Sequence, residues 1–286
     1  MPGRIDVPVC GIDELTVLPD HPVVIRDFRP GLDCRSIEDL LAAAGSPVIS
    51  GSRDGDICEY FELPSNEVAR RFRAGTLGFN AVDSYVDAAD ETLSIPAPIL
   101  RGNLLLCAER TRHYRKSLVI TQKDTYTRTH CDGSGLGGWM YLYAGCKTWH
   151  LWDRVWMPLL YDAVEETCFD DVAHPHRDPA YRQVLEGLPR WEASIGGGDM
   201  IWFPEGWPHR VWTLEDSFGY GGSSLHWERL GHSVEAILRD QRLGFPDSLN
   251  VVPFLTHLAS SQGLECTPHI ERIESVRRTW AKNRAA

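Results

Sequence analysis

The stretch YTRTHCDGSGLGGWMYLYAGCKTWHLWD, residues 126–153, determines how the rest of the chain is interpreted. It contains His130 and Asp132 two positions apart, followed by glycines and a run of aromatic and aliphatic residues. On a β-strand, side chains two positions apart leave the same face, so these two side chains can hold one metal ion. A third ligand then has to come from elsewhere in the chain.

The best third ligand is His209, at the end of the segment FPEGWPH, residues 203–209. Residues 198–204 predict a turn and a strand that delivers this histidine just after its end. Two histidines and one carboxylate make a facial triad, which binds iron(II) and leaves three adjacent coordination positions open. The sequence therefore predicts an iron site formed by His130, Asp132 and His209.

Short apolar runs separated by glycine-rich turns fill the region from Ser117 to Trp227, which is typical of a β-sandwich or a closed barrel. The predicted strands are Leu118–Ile120, Trp139–Tyr143, Thr148–Trp152, Met200–Phe203 and Val211–Leu214.

The flanking regions show helical patterns beside short strands. We predict strands at Pro22–Ile25, Pro47–Ser50 and Phe79–Val82, and helices at Ile37–Ala44, capped by Ser36 and ended by Gly45, and at Ser65–Arg73. Two apolar stripes predict C-terminal helices, one with Val234, Ile237 and Leu238, and one with Ile270, Ile273, Val276 and Trp280. The predicted organisation is an N-terminal α/β segment (1–76), a core (77–230) and C-terminal helices (231–286), which brace the core or form a homodimer interface.

Composition narrows the class of protein. The 286 residues carry a formal net charge of −11, which argues against direct binding of nucleic acid and suits a basic peptide better. The eight cysteines show neither a CxxC pair nor a disulfide framework, so we expect reduced thiols. No signal-peptide core and no run of roughly 18 apolar residues is present, so we expect an intracellular protein without a membrane span.

Two further motifs are weaker. Gly133–Gly138 matches a GxGxxG string, but a dinucleotide site needs a strand before it and a helix after it, whereas here an aromatic strand follows. His174 and His176 are separated by a proline in a charged loop, where we expect solvated side chains rather than a second metal pair.

Lys147 follows His130 by 17 positions, on a later predicted strand. An ammonium at the inner end of a barrel is costly unless it meets an anion, and the far carboxylate of 2-oxoglutarate is such an anion. Thr127 can add a hydroxyl to the same carboxylate. A metal-dependent isomerase on the same type of barrel would not explain Lys147 and Thr127.

At these residues the chain resembles the JmjC oxygenases, and in particular the histone demethylase subfamily that carries plant-homeodomain fingers. The run KDTYTRTHCD, residues 123–132, is similar to the subfamily's Arg-Asp-Ser-Tyr-Thr-x-x-His-x-Asp. FPEGWPHRV, residues 203–211, resembles its Ile-Pro-x-Gly-Trp-x-His-x-Val, and GGSSLH, residues 221–226, resembles its Gly-Gly-Asn-Phe-Leu-His. The resemblance extends from about residue 79 to residue 226. It implies a mainly β fold with helical decoration around a double-stranded β-helix core of the jelly-roll or cupin type.

The resemblance also implies roles for individual residues. His130, Asp132 and His209 would be the iron ligands, and Thr127, Lys147 and Asn80 would hold the cosubstrate 2-oxoglutarate. The chain departs from the subfamily at two positions: Met140 stands in place of a tyrosine that contacts the cosubstrate, and Ser223 in place of an asparagine beside the site. No finger domain is recognisable, because the cysteines lack the spacing.

The function implied is that of a dioxygenase that uses Fe(II), 2-oxoglutarate and dioxygen to hydroxylate a C–H bond. N-methyl-lysine demethylation of a protein in the nucleus or cytoplasm is the first interpretation. Stable hydroxylation of a protein side chain or a small molecule is the alternative. A hypothesis of another class is a non-catalytic JmjC-like scaffold that only binds a partner.

Overall fold

A computed structural model describes residues 3–46, 48–53, 56–78, 80–85, 94–108, 111, 116–157, 159, 184–242 and 249–285. The strands are β1 Arg4–Asp6, β2 Val9–Gly11, β3 Val23–Arg26, β4 Val48–Arg53, β5 Asp56–Pro64, β6 Ala81–Tyr85, β7 Ser117–Thr121, β8 Tyr126–His130, β9 Gly137–Leu151, β10 Arg190–Gly196, β11 Met200–Phe203 and β12 His209–Ser224. The helices are α1 Ile37–Ala44, α2 Ser65–Arg73, α3 Ala97–Leu100, α4 Leu230–Arg242, α5 Val251–Gln262 and α6 Thr267–Ala285.

The long strands β9 and β12 pair along most of their length and belong to two sheets at once. At one end they form the seven-stranded order β2-β3-β11-β9-β12-β7-β6. At the other end β10 pairs with β9, β1 with β10, and β8 with β12, which gives the order β1-β10-β9-β12-β8. The result is a curled, mixed sheet that folds over itself, so the prediction of a mainly β, jelly-roll or cupin-type core is confirmed.

Both long strands bend at the same level. Gly145 in β9 has φ +92°, and a Cβ there would lie 2.2 Å from the Ser217 Oγ of β12. The register of β12 shifts between Thr213 and Phe218, next to this point. The bend explains why the sequence predicted two short strands, Trp139–Tyr143 and Thr148–Trp152, where the structure has one strand of 15 residues.

The space between the two sheets is filled by one apolar cluster, which we call the inner cluster. Each sheet contributes alternate residues to it, as expected for strands with one face on a core. Its buried members are Val7, Val24, Val119, Leu142, Trp149, Leu151, Ala193, Ile195, Ile201, Phe203, Trp207 and Val211.

The outer face of the seven-stranded sheet is covered by α1 and α2. The predicted bounds of both helices are confirmed. Ser36 caps α1 by accepting a hydrogen bond from the Asp39 backbone N–H, and Gly45 ends it in a left-handed conformation with φ +66°. The hairpin β4–β5 forms a separate two-stranded sheet, and its second strand was not predicted.

The C-terminal helices pack with each other and with residues 104–108 into a second apolar cluster. Ile273 is buried in this cluster, and Ile270 and Val276 pack against it. This apolar stripe therefore braces the fold within one chain, and a homodimer stays an untested prediction. Helix α5 was not predicted.

The predicted N-terminal segment contributes strands to both sheets, since β3 pairs with β11 and β1 pairs with β10. Within the described ranges, no helix is long and apolar enough to cross a membrane. The described cysteines at 10, 34, 107, 131, 146 and 266 are all free thiols.

Candidate metal centre

Three side chains of the predicted triad converge where β8 ends and β12 begins. His130 is the last residue of β8 and lies directly opposite His209, the first residue of β12. Asp132 Oδ1 lies 3.4 Å from His130 Nε2 and 3.7 Å from His209 Nε2. One ligand atom from each of the three residues lies within 4.8 Å of the others. Two imidazole nitrogens and a carboxylate at these separations can coordinate a single divalent cation.

The triad is not assembled by the alternation of one strand. Strand β8 ends at His130, so Asp132 lies two residues beyond it, at the entry to the turn 133–135. The prediction of both residues on one strand face is wrong in this detail. Asp132 reaches the histidines from the two-residue segment between β8 and this turn.

A β-bulge in β8 aligns Thr127 with the same face. His130 pairs with His209, and Thr127 pairs with Val211, so three steps along β8 match two steps along β12. Paired residues of antiparallel strands point to the same side of the sheet. Thr127 and His130 therefore face the same interior, although an odd spacing on a regular strand would place them on opposite faces.

Helix α4 fixes the turn that follows Asp132. The Ser233 hydroxyl donates to the Gly135 carbonyl at 2.8 Å, and the Leu249 N–H donates to the Ser134 hydroxyl at 3.0 Å. A Cβ on Gly135 would lie 2.4 Å from Ala236 Cβ, so the turn and the helix are in close contact. The C-terminal helices thus help to position a candidate metal ligand.

Contacts around His209 determine which of its nitrogens faces the site. Its Nδ1 lies 3.1 Å from the Trp207 carbonyl, an acceptor, so Nδ1 carries the proton and Nε2 is left with a free lone pair. The ring centroids of Phe203 and Trp149 lie 4.4 Å and 5.6 Å from that of His209. Packing and one hydrogen bond therefore orient Nε2 toward Asp132.

The protonation states at the site suit a metal ion. Burial, together with the nearby His130, lowers the pKa of His209 to about 4, so its imidazole is neutral at neutral pH. For Asp132, burial acts to raise the pKa, but the hydrogen bond from His130 and the two histidine charges outweigh it and lower the pKa. Neutral imidazole and ionised carboxylate are the forms that coordinate metals.

Lys147 lies on β9, opposite Thr213 of β12, and its side chain is almost completely buried. Its Nζ lies 2.7 Å from Thr121 Oγ1 and 3.0 Å from Thr213 Oγ1. Burial alone lowers the pKa of Lys147 to about 7, because no described carboxylate compensates the charge. An ammonium held by two hydroxyls without a counter-ion among the described residues is suited to an anionic ligand.

The sequence missed Thr121 and Thr213 as the partners of Lys147, and named Thr127 only as a further contact of the cosubstrate carboxylate. Thr213 could have been found, because it lies four positions after His209 and thus on the same strand face. Thr121 is brought close only by the pairing of β7 with β12, which has no local signal.

Asn80 is buried one residue before β6, with its Nδ2 3.4 Å from the Tyr126 carbonyl. Its Oδ1 has no hydrogen-bond partner among the described residues. A buried amide oxygen without a partner is costly unless a ligand supplies a donor. Asn80 therefore stays a candidate for ligand contact, as does the half-buried Thr127.

The two departures from the subfamily lie near the triad. Met140 packs against the inner cluster, and Ser223 lies opposite Gly138. A Cβ on Gly138 would lie 3.1 Å from Asp132 Oδ2, so this face of the paired strands β9 and β12 adjoins the triad. The predicted solvated pair His174 and His176 lies outside the described residues.

The buried Lys147 predicts a pH dependence of stability without cosubstrate. Its pKa is about 7 in the folded chain and near 10.5 in the unfolded chain, so between these values only the unfolded chain holds the proton. Stability therefore rises with pH in this window, and the penalty is fully present below it. We expect Lys147→Met to be more stable than wild type at about pH 7. This difference in stability should shrink by on the order of 2 kcal/mol on going to about pH 9.

Urea unfolding of both proteins at the two pH values measures this difference. The cysteines and tyrosines titrate alike in both proteins and cancel in the comparison. A difference that does not change with pH would contradict a buried, uncompensated ammonium.

Comparisons with known proteins give weak homology to lysine-specific demethylases. The chain is 26% identical over 137 residues to lysine-specific demethylase 7A of Danio rerio, which covers 46% of this chain and 14% of the relative. It is 24% identical over 186 residues to lysine-specific demethylase 7B of Danio rerio, covering 59% and 31%, and 26% identical over 140 residues to lysine-specific demethylase 7A of Mus musculus, covering 46% and 13%. The chain thus spans less than a third of each relative. No family model matches it. The homology agrees with the resemblance noted in the sequence.

Proposed function

We propose that this chain is an Fe(II)- and 2-oxoglutarate-dependent dioxygenase that hydroxylates a C–H bond. The observation that carries the proposal is the convergence of His130, Asp132 and His209, with one ligand atom of each within 4.8 Å of the others. The donor set fits iron(II), because two neutral imidazoles and one carboxylate leave positions open for cosubstrate and dioxygen. The distant homology to lysine-specific demethylases supports the same class of reaction.

Lys147 and its surroundings support the choice of cosubstrate. In the proposal, the Lys147 ammonium binds the far carboxylate of 2-oxoglutarate, and the hydroxyls of Thr121 and Thr213 hold the ammonium in place. Thr127 lies on β8, and Asn80 lies one residue before β6 with an Oδ1 that has no hydrogen-bond partner among the described residues. Both residues are proposed as further contacts. A carboxylate at Lys147 removes the energetic cost of the buried charge, which gives the site affinity for a dicarboxylate.

The bound iron would supply activation of dioxygen, coupled to conversion of 2-oxoglutarate to succinate and carbon dioxide. The residues of the chain supply geometry and exclude water. The Trp207 carbonyl holds the proton of His209 at Nδ1, which keeps Nε2 available as a ligand. Trp149 and Phe203 pack on the His209 ring and separate it from solvent.

For the substrate we propose a methylated lysine in a protein, because the relatives are lysine-specific demethylases. Hydroxylation of an N-methyl group gives a hemiaminal that loses formaldehyde, whereas hydroxylation of a side-chain carbon gives a stable alcohol. The second outcome, on a protein or a small molecule, is the alternative, because Met140 and Ser223 differ from the subfamily beside the triad. An intracellular place of action, in nucleus or cytoplasm, belongs to the same proposal.

Mass spectrometry of methyl-lysine peptides incubated with the protein, iron(II) and 2-oxoglutarate tests the reaction. Loss of one CH₂ group is expected for demethylation. Gain of one oxygen atom would show stable hydroxylation, and the proposal of demethylation would be wrong. The control is the same incubation with a variant that lacks Asp132.

Gly138 provides a prediction about the site's geometry. A Cβ at this position would lie 2.3 Å from Phe203 Cζ and 3.1 Å from Asp132 Oδ2. A methyl group there would displace the Phe203 ring, which packs on His209, and the Asp132 carboxylate. We expect Gly138→Ala to weaken metal affinity roughly tenfold and to destabilise the fold by about 1–3 kcal/mol. Calorimetric titration with Co(II) and thermal unfolding measure the two effects.

The matched control is Gly231→Ala in α4, where a Cβ would meet no atom of the other described residues within 4 Å. It should keep metal affinity and leave stability unchanged or slightly raised, because alanine favours helix. Equal Co(II) affinities of the two variants would contradict the geometry described for Gly138.

A further inference from the structure

A buried acid–base pair lies behind the metal centre. Glu205, in the turn between β11 and β12, is completely buried, and His226, which follows β12, is 2% exposed. Glu205 Oε1 lies 2.8 Å from both the backbone N–H and the ring Nδ1 of His226. The other ring nitrogen, Nε2, lies 3.2 Å from the Ile99 carbonyl. Both ring nitrogens of His226 thus lie within hydrogen-bonding distance of an oxygen atom.

Stability alone is a weak explanation for such a pair. Burying polar groups costs free energy that their contacts roughly repay, and apolar residues of the same volume often stabilise as well or better. What such a pair supplies is a fixed geometry, because Glu205 Oε1 contacts both the backbone N–H and the ring Nδ1 of His226, whereas Oε2 has no hydrogen-bond partner among the described residues. The location of the pair in the fold indicates which part of the chain it holds in place.

Glu205 is part of the turn that presents His209. All residues from 201 to 209 are buried, and Gly206 adopts φ +76°, a left-handed conformation. The next residue, Trp207, supplies the carbonyl that receives the proton of His209 Nδ1. The Gly206 carbonyl lies 3.8 Å from Sγ of Cys131, the residue between His130 and Asp132 in the sequence. A displacement of this turn therefore moves the acceptor that orients His209.

Arg229 joins the same turn to the N-terminal segment. Its Nε lies 3.9 Å from Glu205 Oε2, and its Nη2 donates to the Leu18 carbonyl at 2.9 Å. The guanidinium also lies over the Trp202 ring, 5.4 Å from its centroid. Arg229 thus adds only a long ionic contact to the Glu205 carboxylate, whose Oε2 has no hydrogen-bond partner among the described residues. Both His226 and Arg229 lie between β12 and α4.

We propose that Glu205 and His226 are positioning residues for the metal ligand His209. The pair anchors the turn 204–208, the turn places the Trp207 carbonyl, and the carbonyl fixes the protonated nitrogen and the orientation of the His209 ring. This inference rests on the proposed function, because it takes His209 as a metal ligand. Neither residue contacts the metal in this proposal.

The test is binding of Co(II) to the purified protein, measured by calorimetry and by the visible ligand-field absorption of the bound ion. Glu205→Gln keeps the shape of the side chain and removes its charge. We expect it to weaken Co(II) binding roughly tenfold, the lower end of the range for loss of a direct outer-shell partner, because Glu205 acts on His209 only through the Trp207 carbonyl. The absorption spectrum should also change. His226→Gln should also weaken Co(II) binding and change the absorption spectrum. This variant serves as the test if Glu205→Gln does not fold.

The control is Tyr220→Phe, which removes one partly buried hydrogen bond, from Tyr220 Oη to the Ser94 carbonyl at 2.7 Å, on the outer face of the seven-stranded sheet. It should lower the unfolding temperature and leave Co(II) affinity and spectrum unchanged. If folded Glu205→Gln or His226→Gln binds Co(II) with wild-type affinity and spectrum, the pair is only structural and the inference is wrong. Failure of the wild-type protein to bind Co(II) would instead overturn the proposed metal site itself, and this inference with it.

Discussion

Replacing Asp132 with alanine is expected to abolish tight binding of a divalent metal ion and all turnover that depends on it. The carboxylate is the anionic member of the triad and lies 3.4 Å and 3.7 Å from the two imidazole Nε2 atoms. Without it, two neutral imidazoles remain, and the charge that attracts the cation is lost. We expect Co(II) affinity to fall by more than about 100-fold, the upper range for loss of a mere outer-shell partner. Calorimetric titration with Co(II) measures this effect.

Asp153→Ala is the matched control for this variant. Asp153 is a half-buried aspartate in the same region of sequence, and its carboxylate accepts a hydrogen bond from the Val155 N–H at 3.0 Å. Its loss should cost about 1 kcal/mol of stability, as for a helix cap, without affecting the metal. The triad assignment fails if Asp132→Ala binds Co(II) as tightly as Asp153→Ala does.

Replacing Lys147 with methionine should have opposite effects on cosubstrate binding and on stability. Removing one partner of a buried charge pair costs about 2–5 kcal/mol, so 2-oxoglutarate affinity should fall roughly 30-fold or more. Without cosubstrate, however, the variant should be more stable than wild type, because an apolar chain of similar length replaces a buried ammonium that has only hydroxyl partners among the described residues. Anaerobic titration of the Mn(II)-loaded proteins with 2-oxoglutarate and thermal unfolding measure the two quantities.

The exposed Lys123 provides the comparison. Lys123→Met removes the same charge from the surface, and both quantities should stay at their wild-type values. If Lys147→Met bound 2-oxoglutarate normally, the proposed role of the buried ammonium would be wrong. A lower stability of that variant would show that its hydroxyl partners already compensate the charge.

Sequence patterns predicted the parts of the fold that have local signals. The strand Met200–Phe203 and the helices Ile37–Ala44 and Ser65–Arg73 have the predicted bounds, since apolar periodicity and end signals mark them. The continuity of β9 and β12 through a bend was not predictable, because Gly145 is also a turn signal in sequence. Nor did the sequence show that β1 and β3 complete the two sheets, since strand pairing between distant segments has no local pattern.

The candidate site shows the same division. The spacing of His130 and Asp132, together with a distant His209, was sufficient to nominate the triad, and the structure brings the three side chains together. The route differs, because Asp132 lies beyond the end of β8 and not on the strand. A bulge in β8 places Thr127 on the same face as His130, and no residue preference in the sequence predicts this bulge. The Glu205–His226 pair was invisible in sequence, because its two members are 21 positions apart and meet only through the fold.

A crystal structure of the protein grown without oxygen, with Mn(II) and 2-oxoglutarate, tests the account most directly. We predict one anomalous peak bounded by His130 Nε2, an Asp132 carboxylate oxygen and His209 Nε2, with the far carboxylate of 2-oxoglutarate on Lys147 Nζ. A manganese ion bound elsewhere, or a cosubstrate whose far carboxylate does not reach Lys147, would contradict it.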